Sequence, residues 1–272
     1  MGKPRVQCPT LARLFSLFLL CYAGETLGWS WRETLFGIPE PLEPPPVPWS
    51  YAGSTGPDRW ASLSPKYAAC GGQQQSPIEL SGATPVGFVP LSFHYRSNPL
   101  HIINTGNQLL VHYQPGSYLI ADHHRYELKE IHFHSPGEHA IRGVVADLEL
   151  HLVHRDERGR FAVVAVPVRA GIRRNSTLRR ISERLPPVDL QGYYERRRGI
   201  NAVFLLPPRR EYFRYLGSLT QPPCTEGAIW FVFDHPLEID AGDLQRFRQV
   251  LGHNARPLQP RNGRQIFAFT HP

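Results

Sequence analysis

Glu130-Ile131-His132-Phe133-His134 and Glu149-Leu150-His151-Leu152-Val153-His154 are the stretches whose reading decides this fold. Alternate side chains of a β-strand share a face. As a strand, the first stretch turns Glu130, His132 and His134 one way and Ile131 and Phe133 the other, into apolar packing. In the second, Leu148, Leu150 and Leu152 form one face and Glu149, His151 and Val153 the other. If the two strands pair, His151 completes a site of three histidines, while His154 falls on the wrong face and is a poor ligand. Three neutral imidazoles with an open fourth position suit a catalytic zinc ion; structural zinc sites usually have four protein ligands, often cysteines. The spacing also admits a rival triad of His132, His134 and His139, because Ser135-Pro136-Gly137 is a turn and strand parity is lost across it. Glu149 beside His151 and Glu130 beside His132 strengthen the metal reading, since zinc-bound histidines usually give their second N–H to a carboxylate or carbonyl.

Other segments read as short strands separated by turn residues: Leu100–Asn104, Gln108–Tyr113, Glu127–Phe133, Leu148–His154, Phe161–Val168, Ala202–Leu206 and Ile229–Phe233. Two helices are expected, a short one over Ser176–Glu183 and one over Asp240–Leu251, which has early acids, later arginines and Gly252 at its end. The chain is therefore mostly β, with helices at the edges.

The 272 residues, 41% of them hydrophobic, suffice for a sizeable core. Lys3, Arg5 and Arg13 precede a short apolar run, Leu14 to Ala23, too short to span a bilayer comfortably. Residues 1–28 read as a signal peptide and point to export. No later segment is apolar enough to span a membrane, and no C-terminal lipid-anchor signal is seen. Residues 29–48 read as a Pro-rich linker, with Glu-Pro-Pro-Pro-Val-Pro at 43–48. Of four cysteines, Cys8 and Cys21 lie in the leader. That leaves Cys70 and Cys224 as a disulfide or as two buried thiols. The net charge of +7 comes mostly from arginine clusters at 173–174, 179–180, 196–198 and 209–210. A basic patch can bind nucleic acid or an anionic surface. These clusters sit in polar, loop-like stretches with few interleaved aromatics, so a solvated basic surface and no nucleic-acid partner are expected. Asn175-Ser176-Thr177 fits a glycosylation acceptor in a eukaryotic secretory route.

From Trp49 to Phe267 the sequence resembles the α-class carbonic anhydrases. The resemblance rests on Trp49-Ser50-Tyr51 with Gly56-Pro57 and Trp60; Gln75-Ser76-Pro77-Ile78; His132-Phe133-His134; Glu138-His139; Glu149-Leu150-His151-Leu152-Val153-His154; Gly217-Ser218-Leu219-Thr220-Gln221-Pro222-Pro223-Cys224; and Asn262-Gly263-Arg264-Gln265-Ile266. The compact Ser-Pro-Gly-Glu-His turn looks closer to bacterial and plant-type members. The resemblance implies one α+β, β-dominated domain over 49–272, built around a large, mostly antiparallel twisted sheet with short peripheral helices. It implies a zinc ion on His132, His134 and His151, with Glu149, Glu130, His139 and Asn254 in support. The implied reaction is reversible hydration of carbon dioxide to bicarbonate and a proton through a zinc-bound hydroxide, which could also hydrolyse activated esters. Thr220 and Glu138 look like the pair that orients the hydroxide. Val153, Val163, Leu219, Trp230 and Ala228 look like the apolar substrate pocket, and Cys70 and Cys224 like the disulfide of exported members. Cis bonds before Pro77 and Pro223 are also implied.

Two departures stand out. Fast members carry a proton-shuttle histidine in a segment like Asn-x-Gly-His, but this chain reads Asn104-Thr105-Gly106-Asn107, and asparagine carries no proton at neutral pH. Slow, buffer-dependent turnover is expected, with His112, His123 and His124 as substitute shuttles to consider. Glu130 stands where many relatives have glutamine and is expected to raise the pKa of the bound water. The main alternative is a non-catalytic carbonic-anhydrase-related binding module, a class that usually lacks one of the three histidines.

Overall fold

The alternating apolar runs become the central strands of a computed structural model that describes residues 48–270. The leader, Cys8, Cys21 and nearly all of the Pro-rich segment lie outside the described residues. The first elements are helix α1 (Trp60–Leu63) and the short strands β1 (Glu79–Leu80), β2 (Thr84–Gly87) and β3 (Ser92–His94). There follow β4 (Asn98–Asn104), β5 (Leu109–His112), β6 (Tyr118–Ala121), β7 (His124–His134), β8 (Ala140–Ile141) and β9 (Val144–Val145). Then come β10 (Leu148–Arg155), β11 (Phe161–Ala170), helix α2 (Ser176–Ser182) and β12 (Asp189–Ile200). The described chain closes with β13 (Tyr212–Ser218), β14 (Glu226–Phe233), β15 (Leu237–Ile239), helix α3 (Ala241–Leu251) and β16 (Phe267–Thr270).

The main sheet runs β12-β4-β5-β7-β10-β11-β14-β13-β16-β2. Most neighbours are antiparallel; β11 pairs with β14 and β15, and β16 with β2, in parallel. The expected β-dominated, mostly antiparallel sheet with edge helices is therefore present. Leu148, Leu150 and Leu152 pack on one side of the sheet with Ile131, Phe133, Phe231 and Phe247. Phe133 and Phe247 rings lie 5.0 Å apart and seat α3 on β7. Each such fully buried side chain contributes about 1.5–3 kcal/mol. Asp240 caps α3 by accepting from the Gly242 amide, and Gly252 at φ 60° ends it, as the sequence signals imply.

Two expectations need correction. Ala202–Leu206 is not a strand: Ala202–Leu205 is a 3-10 turn, capped by the Asn201 side chain on the Val203 amide. The arginine clusters are not all in loops, since Arg179 and Arg180 belong to α2 and Arg196, Arg197 and Arg198 to β12. Strand β12 is an edge strand, so its sequence lacks the alternation that a buried strand shows. Asn175 is occupied as the cap of α2: its Oδ1 accepts from the Thr177 and Leu178 amides, and its Nδ2 donates to the Phe204 carbonyl at 2.7 Å.

Cys70 and Cys224 form a disulfide across 154 residues of sequence, inside a cluster with Trp49, Trp60 and Tyr67. The peptide bonds before Pro77 and Pro223 are cis, as expected, and so is the bond before Pro136. Cys224→Ser should lower unfolding stability by about 3–5 kcal/mol, as chain-entropy arguments give for so long a loop. A urea midpoint unchanged from the wild type would contradict this. No helix among the described residues is long and apolar enough to cross a membrane.

Candidate metal centre

Strand pairing brings the histidines together. His132 on β7 stands directly opposite His151 on β10, and His134 opposite Glu149. The rings of His132 and His134 are 5.0 Å apart, those of His132 and His151 5.1 Å, and those of His134 and His151 4.6 Å. One nitrogen from each lies within 4.8 Å of the others.

The remaining nitrogens are all held. His132 Nδ1 lies 3.0 Å from Glu130 Oε1, His134 Nδ1 2.8 Å from the Asn254 carbonyl, and His151 Nε2 2.7 Å from Glu149 Oε1. Donating an N–H at each of these positions leaves lone pairs on His132 Nε2, His134 Nε2 and His151 Nδ1, all facing one region. His134 Nε2 is buried and has no hydrogen-bond partner. An orphaned buried nitrogen costs free energy, and this one is aimed where a cation would satisfy it. The donor set thus fits a zinc ion with an open fourth position. Burial, helped by the neighbouring histidines, holds His134 well below the usual imidazole range and pushes His151 down to about 4. Both are therefore neutral at physiological pH, as ligation requires.

The geometry also separates the rival triad. His139 Nδ1 sits 2.6 Å from Glu149 Oε1 and its Nε2 2.7 Å from the Tyr215 hydroxyl, which leaves no nitrogen free. Glu149 Oε2 accepts from the Glu138 and His139 amides at 3.1 and 3.0 Å. His139, Glu149 and His151 also lie close enough to hold an ion, but their polar atoms are already committed to one another. Burial raises the Glu149 carboxyl, yet the His139 charge and hydrogen bonds from His139 and His151 outweigh it and hold Glu149 well below the usual carboxylate range. Asn254 braces the β7 end, accepting from the Ser135 amide and donating to the Phe133 carbonyl, at 2.8 and 2.9 Å.

Glu138 is buried beside the triad, with Oε1 3.3 Å from His134 Nδ1 and accepting from the Arg256 amide at 2.8 Å. Burial pushes it well above the usual range, against the Arg256 amide and the Thr220 hydroxyl, which favour its charged form. Val153, Val163, Ala228 and Trp230 are buried in one apolar cluster, with Leu219 against it. The Trp230 ring lies 4.8 Å from the His151 ring. Asn107 donates its amide to the Trp49 carbonyl at 2.5 Å. Among the other histidines, His112 is the cross-strand partner of Glu130 and burial pushes it down to about 4; His123 and His124 are exposed.

Several participants were not singled out from sequence. Gln108 donates to Glu130 at 3.2 Å. Tyr215 links His139 to Ser76 Oγ at 2.8 Å, and Ser76 Oγ accepts from the Ser218 amide at 3.0 Å, two residues before Thr220. The buried Arg256 side chain donates to Gln75 Oε1 at 2.8 Å and to the Cys70 carbonyl at 3.0 Å. In sequence, one arginine among many gave no signal for this.

His154 lies on the opposite face, as parity requires, with Nδ1 3.1 Å from the Ala162 carbonyl and Nε2 2.7 Å from the Tyr95 hydroxyl. Burial pushes it down to about 4 from an ordinary 6.5. Its contribution to stability is complete above pH 6.5 and is lost as pH falls through 4, because only the unfolded chain binds the proton in that window. The gap of about 2.5 pH units, at 1.36 kcal/mol each, amounts to roughly 3 kcal/mol. Metal-stripped His154→Phe should therefore lose about that much less stability than the metal-stripped wild type between pH 6.5 and 4. Equal losses in urea titrations would refute the assignment.

A profile of eukaryotic-type carbonic anhydrases matches residues 55–270. A carbonic anhydrase of Nostoc sp. is 39% identical over 250 residues, 88% of this chain and 94% of the relative. The structure of α-carbonic anhydrase from Thermovibrio ammonificans, solved with the inhibitor sulfanilamide, superposes with a TM-score of 0.77 at 37% identity, covering 81% of this chain and 99% of that one. Dioscorin dioA3 of Dioscorea japonica is 34% identical over 228 residues, 79% of this chain and 81% of the relative. The chain belongs to the α-class carbonic anhydrase family of lyases.

Proposed function

We propose that the chain catalyses zinc-dependent, reversible hydration of carbon dioxide to bicarbonate and a proton. The observation that carries this is the triad in which each imidazole is anchored through one nitrogen and leaves the other for a shared point. Bound there, zinc supplies Lewis-acid activation of water, lowering its pKa to about 7, a value known from carbonic anhydrase itself. His132, His134 and His151 hold the ion, and Glu130, the Asn254 carbonyl and Glu149 fix their tautomers. The Thr220 hydroxyl donates to Glu138, so its oxygen is left to accept a hydrogen bond from the attacking water and aim it. Val153, Val163, Leu219, Ala228 and Trp230 offer carbon dioxide an apolar wall. Glu130 adds negative charge beside His132 and so raises the pH at which activity develops.

Proton export is the slow part of this reading. Asn107 stands at the shuttle position with its amide given to a backbone carbonyl. Stopped-flow hydration should therefore be strongly buffer-dependent, and Asn107→His should raise kcat in weak buffer by roughly a hundredfold, the low end for a positioned proton-transfer group. A wild type whose kcat is high and indifferent to buffer would contradict this.

The alternative of a binding module that kept the fold and lost the metal is not favoured, because all three histidines, Thr220 and Glu138 stand in this chain. The Cys70–Cys224 disulfide supports export, with residues 1–28 as the signal.

A further inference from the structure

The arginines of α2 and β12 form a structured face rather than loose solvated charge. Arg180 of α2 and Arg184, two residues beyond its end, reach across to β12. Arg180 donates to Glu195 at 3.0 Å and to the Gly199 carbonyl at 3.1 Å, and Arg184 Nε donates to the Tyr193 hydroxyl at 3.2 Å. The β12–β4 ladder then breaks. Glu195 pairs with Leu100 and Ile200 with Asn98, so the four residues 196–199 stand opposite Pro99 alone. Proline has no N–H to offer a ladder, and the surplus bulges outward. Gly199 permits the return, since a β-carbon there would collide with the Asn98 carbonyl oxygen. The bulge displays Arg196, Arg197 and Arg198 in sequence, all exposed.

Charge on this face is unbalanced. Glu183 is engaged by Arg179 and Glu195 by Arg180. Among the described residues, Arg184, Arg196, Arg197 and Arg198 form no ion pair with a carboxylate. The three exposed guanidinium groups of the bulge, with Arg184 bonded only to neutral oxygens beside them, leave excess positive charge that is complementary to an anionic surface. Where the bulge returns to the ladder, Phe204 shares a surface cavity of about 300 Å3 with Arg180, Gly199 and Ser176, and it is 64% exposed. Guanidinium groups alone would fit any polyanion. An exposed aromatic side chain beside Arg180 and Gly199, where the bulge ends, fits a lipid headgroup boundary, where the ring is buried while the arginines meet phosphates.

We propose that the α2–β12 face docks the protein on acidic phospholipid bilayers. The metal centre lies on β7 and β10, with β4 and β5 between β12 and β7 in the sheet order, so the docking residues are separate from the catalytic ones.

The test is sedimentation of the full-length protein with vesicles of phosphatidylcholine, with or without phosphatidylserine, at low and high salt. Binding is scored as the difference between acidic and neutral vesicles, so that any contribution of the apolar Leu14–Ala23 run cancels. The wild type should bind acidic vesicles preferentially and release in high salt. The R196Q/R197Q/R198Q variant should bind roughly a hundredfold more weakly, and Phe204→Ser roughly tenfold more weakly with the same salt dependence. Both should keep the wild-type hydration rate and melting temperature. Equal binding to neutral and acidic vesicles would overturn the proposal, as would unchanged binding by the arginine variant. So would full binding by Phe204→Ser together with equally tight capture on heparin or single-stranded DNA, which would mark a general polyanion surface.

Discussion

His151→Ala should lose its zinc and at least a thousandfold in kcat/KM, a barrier increase of about 4 kcal/mol or more. His151 is the only one of the three triad histidines on β10, and it faces His132 across the strand pair. Its removal leaves two donors on one strand and strips Glu149 Oε1 of a 2.7 Å hydrogen bond. The comparison with His139→Ala is decisive. That variant removes a support, with an expected tenfold to hundredfold weakening of zinc affinity, but it keeps three ligands and stays active at saturating zinc. If His139→Ala lost metal outright while His151→Ala kept it, the ligand assignment would be wrong.

Thr220→Ala should retain full zinc and lose roughly a hundredfold in kcat/KM, comparable to removing one preorganised polar contact in other active sites. Thr220 is 3% exposed, and its hydroxyl favours the charged form of the buried Glu138, which also holds the Arg256 amide at 2.8 Å. In the proposed arrangement the hydroxyl donates to Glu138, which leaves its oxygen to accept from the reacting water. Thr220→Ser, which keeps that hydroxyl, should recover most of the activity. Equal losses in the two variants would mean that the methyl packing matters and the hydrogen bond does not.

Much of this site was legible because strand parity is a strict constraint. It turned Glu130, His132 and His134 to one face, Glu149 and His151 to another, and His154 away, and the β7–β10 register agrees with each placement. Parity failed at the Ser135–Gly137 turn, which is why His139 stayed in competition until family resemblance favoured His151; the geometry then showed both His139 nitrogens taken. What could not be read was long-range. Arg256 meets Gln75 from 181 residues away and Tyr215 meets Ser76 from 139, and no local pattern encodes such contacts. Edge strands were the other blind spot. In β12 no buried face imposes alternation, so Tyr193 to Arg198 read as polar loop although they lie in a strand.

The account rests on a zinc ion held by His132, His134 and His151, and metal reconstitution tests that most directly. Chelator-stripped protein should be inactive in stopped-flow carbon dioxide hydration. Activity should rise linearly with added zinc and level off at about one ion per chain, the count for a single three-histidine site. Hydration that survives stripping, or that fails to return with zinc in a folded protein, would contradict it.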